Sequence, residues 1–171
     1  MKYLLKNIIY FVYGWDLCTV ILCTILSIFL WTMLNIQKTS KVSCILNRIM
    51  LCLITIAIVF FTITGRSIQV ERRVHLVPFM SYIVSGGSGK ETIWLNAFFF
   101  LPIGLSLPFL LPETVKNKSR TTILIACAFS LIIEIIQYTF KLGLAETTDV
   151  IMNTLGAALG TISYIAANHK K

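Results

Sequence analysis

TTILIACAFSLIIEIIQYTF, residues 121–140, decides the fold. A hydrocarbon core about 30 Å thick is crossed by about 20 helical residues. This stretch has that length, and neither Gly nor Pro interrupts it. It nevertheless carries a carboxylate, Glu134, near its middle. There a charge costs about 2.5–3.5 kcal/mol even on lenient insertion scales, so it turns away from lipid. Gln137 at i+3, Lys141 at i+7 and Ser130 at i−4 share its helical face. A polar stripe on an apolar helix predicts a bundle whose interior receives that stripe.

The rest of the chain fits the same reading. Hydrophobic residues make up 57% and charged residues 13%, against about 45–50% and about 25% in soluble domains. One soluble core of this size cannot hide that much apolar surface, so the bilayer is its solvent. The expected architecture is all-α, a polytopic transmembrane helical bundle of about five spans in one domain, 1–171. The spans are expected at 17–36, 45–65, 93–111, 121–140 and 150–167. Lys2 and Lys6 ahead of the first apolar run imitate a signal peptide. The run continues to Ile36 without an A-x-A site, which reads as a retained span.

The connections are 37–43, 66–92, 112–120 and 141–149. The second is much the longest, which marks it as a functional candidate. Its middle, residues 74–84, is apolar, too short to span, and holds Pro78. It is expected to be re-entrant or interfacial, because irregular backbone at depth must be covered by protein or water. Ser85–Gly89 reads as a hinge in preference to an anion-binding nest. Net charge is +8, but Lys and Arg sit at the ends of apolar runs, where they flank spans and meet headgroups. No nucleic-acid motif is present. Basic residues nearly balance between the two sides. Discounting the arginines of the long loop leaves the N-terminus and loops 66–92 and 141–149 outside, and the C-terminus cytoplasmic. The cysteines, Cys18, Cys23, Cys44, Cys52 and Cys127, form no C-x-x-C and read as apolar filler.

Polar residues elsewhere join Glu134. Asp149 and Asn153, four apart, share a face with Gly156 and Gly160, whose G-x-x-x-G spacing suits close helix packing. Asn153 there can simply bond a neighbouring helix. Glu146 and Asp149 can equally serve the positive end of a helix, with Thr147 or Thr148 as cap. Asn96 and Gly104 lie on one side of the third span, and Pro102 either shapes the bundle by a kink or opens a cavity beside Glu134. Asn96, Glu134, Gln137, Asp149 and Asn153 would then line one polar groove, with Arg72, Arg73 and His75 over its mouth, so that charges satisfy one another. No second His or Cys stands at metal spacing, so neither a metal nor another cofactor is expected. Without G-x-S-x-G, and with no base assigned to Ser81 or Ser85, a serine nucleophile has no support.

Four motifs occur in order: RRVHLVPF (72–79), N-x-x-x-F-x-P-I-G (96–104), S-x-x-x-E-x-x-Q (130–137) and E-T-T-D-x-x-x-N-T-x-G-x-x-x-G (146–160). Together they resemble the VanZ-like family over roughly residues 66–167. His75 stands where that family's first motif usually has Asn. Glu146 replaces a common Asp, and Gly143 lies near the place of a frequent Arg. Arg72, Asn96, Glu134, Gln137, Asp149 and Asn153 match the family's motifs, and with His75 they are the candidate ligand-binding residues. The resemblance implies low-level resistance to teicoplanin, a glycopeptide bearing a fatty acyl chain.

Three functions fit these residues. The favoured one is a non-enzymatic binder of an amphiphile, either a lipoglycopeptide drug or a cell-wall lipid precursor, in the polar-lined groove. The second is an intramembrane enzyme acting on a lipid-linked envelope molecule, with Glu134 as acid or base and Arg72 on a phosphate or carboxylate. The third is a small transporter or flippase with Glu134 carrying the proton. Membrane lipids are the common partner.

Overall fold

A computed structural model describes residues 41–64, 66, 68–87 and 90–168. The span expected at 17–36 and the two ends of the chain lie outside these residues, as do Ser88 and Gly89 of the expected hinge. The described elements are α1 (Lys41–Val59), a π-helical turn (Phe60–Thr64), β1 (Arg73–His75), α2 (Met80–Val84), α3 (Lys90–Leu110), α4 (Lys118–Phe140), β2 (Leu144–Glu146) and α5 (Thr147–Asn168).

Three stretches are long and apolar enough to cross a membrane: Cys44–Ile63, Ile93–Leu110 and Lys118–Phe140. They correspond to the spans expected at 45–65, 93–111 and 121–140. The fifth expected segment, 150–167, lies within one helix, α5. α3 is apolar around its whole circumference and forms the centre, contacting α1, α4 and most extensively α5. Its Phe100 and Ile103 join Ile58 of α1, Ala126 and Ile133 of α4 and Ala157 of α5 in the main apolar cluster. The outer faces of α1 and α4 remain apolar and exposed, with Leu53 62%, Leu131 51% and Ile135 55% accessible. Bands of that kind suit lipid contact better than water.

The α3–α5 contact depends on small residues. A Cβ built on Gly156 would overlap the carbonyl of Ala97, and one on Gly104 would overlap that of Ala157. The G-x-x-x-G spacing therefore does what small residues do in helix pairs: it lets the backbones touch. α3 runs continuously through Pro102 and Pro108.

The sequence reading contained no strand. β1 and β2 pair in parallel, with Arg73 opposite Leu144, Val74 opposite Ala145 and His75 opposite Glu146. A further bond, Gln69 N–H to Lys141 C=O at 2.8 Å, extends the contact. These bonds satisfy backbone groups that two loops would otherwise leave open. They bring segments 66–87 and 141–149 to one end of the bundle. Residues 74–84 thus form a strand, a turn through Pro78 and one short helix. Leu76, Val77, Ile83 and Val84 are each at least 60% exposed there.

Candidate functional site

The site is assembled where this strand pair meets α4 and α5. Glu134 points from α4 toward β2, and its Oε2 accepts the backbone N–H of Glu146 at 2.9 Å. Glu146 Oε1 in turn accepts the Ser81 hydroxyl from α2. His75 Nδ1 lies 2.8 Å from Ser81 Oγ and 3.8 Å from Glu146 Oε1. Thr147 Oγ1 donates to the His75 carbonyl at 3.3 Å. Thr148 Oγ1 accepts the Phe79 N–H at 2.7 Å. Phe79 occupies a left-handed conformation, φ 60°, uncommon for a bulky residue. Its bond to Thr148 fastens α2 onto the start of α5. The threonines expected to cap α5 thus reach across to the long loop.

Asp149 stands in the first turn of α5, half-buried. The Asn96 side chain lies within reach of its carboxylate, although Asn96 Nδ2 is buried without a hydrogen bond of regular geometry. Arg66 stands within electrostatic reach of both Glu134 and Asp149. Its guanidinium packs on Gly143, where an added Cβ would sit 2.9 Å from Nη1. Gly143 has φ +104°, a conformation open to glycine at little cost. Gly143 therefore makes the turn into β2 and leaves room for a cation from the other loop. Among the described residues no three of His, Cys, Asp and Glu converge as a metal site.

A cleft of about 320 Å³ opens beside this cluster. Val74, Leu76, Leu131, Ile135, Tyr138, Ala145 and Val150 form its apolar walls. Glu134, Glu146 and Thr147 also contribute to the lining, which is almost wholly apolar. α4, the two strands and the start of α5 supply all of these residues. Pro102 of α3 is not among them.

The seven expected site residues divide. Glu134 and Asp149 both lie within electrostatic reach of Arg66, His75 joins through Glu146, and the Asn96 side chain lies within reach of Asp149. Three others go elsewhere. Gln137 donates to the Thr62 carbonyl at 3.0 Å, satisfying a backbone group in the π-helical turn. Asn153 donates to Ser130 Oγ at 2.8 Å in a buried link between α5 and α4, the helix-bonding alternative for that residue. Arg72 does not close over the acids: it lies over the Tyr138 ring, 5.9 Å from its centroid, at the cleft's rim. Arg73 is exposed in β1. Arg66 and Ser81 were missing from the expected set. Neither carries a local sequence signal toward the acids, because each approaches them only where β1 pairs with β2.

The VanZ/LLP1 family model matches residues 45–168. Protein VanZ of Enterococcus faecium is 35% identical over 98 residues, which cover 57% of this chain and 56% of that protein. The chain thus spans little more than half the length of that relative. No solved structure matches.

Proposed function

Because the chain belongs to the VanZ/LLP1 family, we propose that it binds an acylated amphiphile in the cleft between α4 and the strand pair. The bound molecule is a lipoglycopeptide drug or an envelope lipid, and its capture gives low-level resistance to teicoplanin. The observation that carries this reading is the cleft itself: walls of aliphatic and aromatic side chains beside the Glu134–Glu146 cluster. Ligand sites combine such walls with a few polar groups that fix orientation. At about 320 Å³ the cleft lies at the low end of the usual range of about 300–1,000 Å³. It suits a chain and the first part of a head group, not a whole glycopeptide. Leu131 and Ile135 lie on the exposed face of α4, so a chain enters from the bilayer. In this reading segments 66–92 and 141–149 face the outside, where the drug arrives. The pairing of β1 with β2, which gathers both at one end, supports their sharing a side.

The test is the inhibitory concentration of teicoplanin and vancomycin in a susceptible Gram-positive host. Wild type, Glu134→Gln, Asp149→Asn and Arg72→Ala are expressed at matched membrane levels. A rise selective for teicoplanin, reduced in Glu134→Gln and Asp149→Asn, is expected. An unchanged teicoplanin concentration with wild type overturns the resistance reading.

A further inference from the structure

The base that the sequence does not assign to Ser81 is supplied by the strand pairing. β1 and β2 put His75 opposite Glu146, and the turn through Pro78 brings Ser81 back onto both. Glu146 Oε1 accepts the Ser81 hydroxyl. A serine has one proton to give, so the 2.8 Å contact with His75 makes Nδ1–H the donor and the Ser81 oxygen the acceptor. That oxygen therefore meets a carboxylate able to take its proton and a ring N–H able to hold it as it becomes negative. An activated nucleophile has this arrangement: hydroxyl and base within hydrogen-bond reach, and a third group that orients them.

The backbone and the surroundings point the same way. Phe79, two residues before Ser81, is held at φ 60°, a costly conformation for a bulky residue and one that gathers at functional sites. Ser81 and His75 are half-buried, so a substrate can reach the hydroxyl. Leu76, Val77, Ile83 and Val84 are exposed around them. An apolar surface at the end of a bundle lies where acyl chains meet head groups, which is also the depth of an acyl ester in a lipid. Glu146 belongs to the cleft lining as well, so the base stands between the nucleophile and the site proposed for the chain.

We infer that Ser81 is a nucleophile toward the ester carbonyl of an acylated amphiphile, with Glu146 as general base and His75 as the residue that positions its oxygen. This rests on the acyl-binding reading above and adds a reaction class, ester hydrolysis through an acyl-enzyme. In the first step Ser81 Oγ bonds to the carbonyl carbon and its proton passes to Glu146. The bond from that carbon to the alcohol oxygen breaks, and the alcohol leaves with the proton from Glu146. In the second step Glu146 takes a proton from water, whose oxygen bonds to the acyl carbon. Ser81 Oγ then leaves with that proton, and a fatty acid is released.

The experiment places the full chain in nanodiscs of ether-linked phosphatidylcholine, which contain no ester. A dodecyl fluorophosphonate, which phosphonylates activated serines with loss of fluoride, is added, and the adduct is mapped by mass spectrometry. Release of p-nitrophenol from p-nitrophenyl dodecanoate is followed alongside. Wild type is expected to be modified at Ser81 and to release p-nitrophenol. Ser81→Ala and Glu146→Gln should lose about a hundred-fold or more of that rate, the range of general-base catalysis. His75→Ala should slow both reactions, and His75→Asn, whose amide can donate to the same oxygen, should recover part of the rate. Saturable binding of radiolabelled dodecyl glucoside, which has no ester, tests the acyl-binding reading separately. If the glucoside saturates but Ser81 stays unmodified and wild type releases p-nitrophenol no faster than Ser81→Ala, the nucleophile is overturned and the binding reading stands. If the glucoside does not saturate and Ser81 stays unmodified, both fall.

Discussion

Glu134, in the fourth described α-helix, holds the backbone of Glu146, twelve residues later, through a 2.9 Å hydrogen bond. One carboxylate thereby fixes the strand that carries the next. The two acids of the cleft are parts of one structure, and substitutions at Glu134 should separate structural from binding effects. Glu134→Gln keeps an acceptor for the Glu146 N–H. Glu134→Ala leaves that N–H without one, at a cost of about 1–3 kcal/mol. Thermal unfolding in nanodiscs should show a clear drop for Ala and a small one for Gln, while both lose selective teicoplanin protection.

Arg66 is expected to matter through its charge. Arg66→Met removes the cation that stands within electrostatic reach of both Glu134 and Asp149. Its stability should fall, and Asp149→Asn in the same chain should restore part of the loss. Non-additivity in this double-mutant cycle is the readout. Additive effects would show that Arg66 acts by packing on Gly143 alone.

Gly156 and Gly86 make a controlled pair. Gly156→Ala drives a methyl into the Ala97 carbonyl, whereas Gly86→Ala meets open space and carries only the strain of φ +64°. The first must separate two helices, at a cost of about 1–3 kcal/mol or more. The second costs about 1–2 kcal/mol, that of one non-Gly residue in the left-handed region. Yield of folded protein and melting temperature should fall more for Gly156→Ala.

The short helix Met80–Val84 is fastened by few bonds. Ser81→Ala with Thr148→Val removes the hydroxyl to Glu146 and the acceptor for Phe79 N–H. At about 1 kcal/mol per bond, the loss of both should make local opening about thirty-fold more frequent. Hydrogen exchange should accelerate over 75–84 and remain unchanged in the helix Lys90–Leu110. Acceleration throughout the bundle would mean that this segment supports the whole fold.

Asn153 should behave as a helix-pairing residue. Its bond to Ser130 is buried, and such links in membrane bundles average about 0.6 kcal/mol, reaching about 1.7. Asn153→Ala and Ser130→Ala should show a coupling of that size in unfolding. Selective teicoplanin protection should persist in both.

The amino-acid sequence by itself determined the medium and the helices. Apolar length fixed the stretches able to span, since a bilayer admits few other spanning structures. Gly156 and Gly160 announced a close helix contact by spacing alone, and Glu134 announced an inward face because a carboxylate cannot face lipid cheaply. These are local properties, written at intervals of three and four residues. Only the tertiary structure decided which polar residues share a site. Gln137 and Asn153 lie on the expected faces, yet each bonds to a neighbouring segment, because a buried amide takes whichever carbonyl or hydroxyl the adjacent element presents. Arg66 and Ser81 reach the acids only because Arg73–His75 lies beside Leu144–Glu146. That pairing joins residues about seventy positions apart through backbone groups, which every residue type carries alike, so no side-chain pattern foretells it.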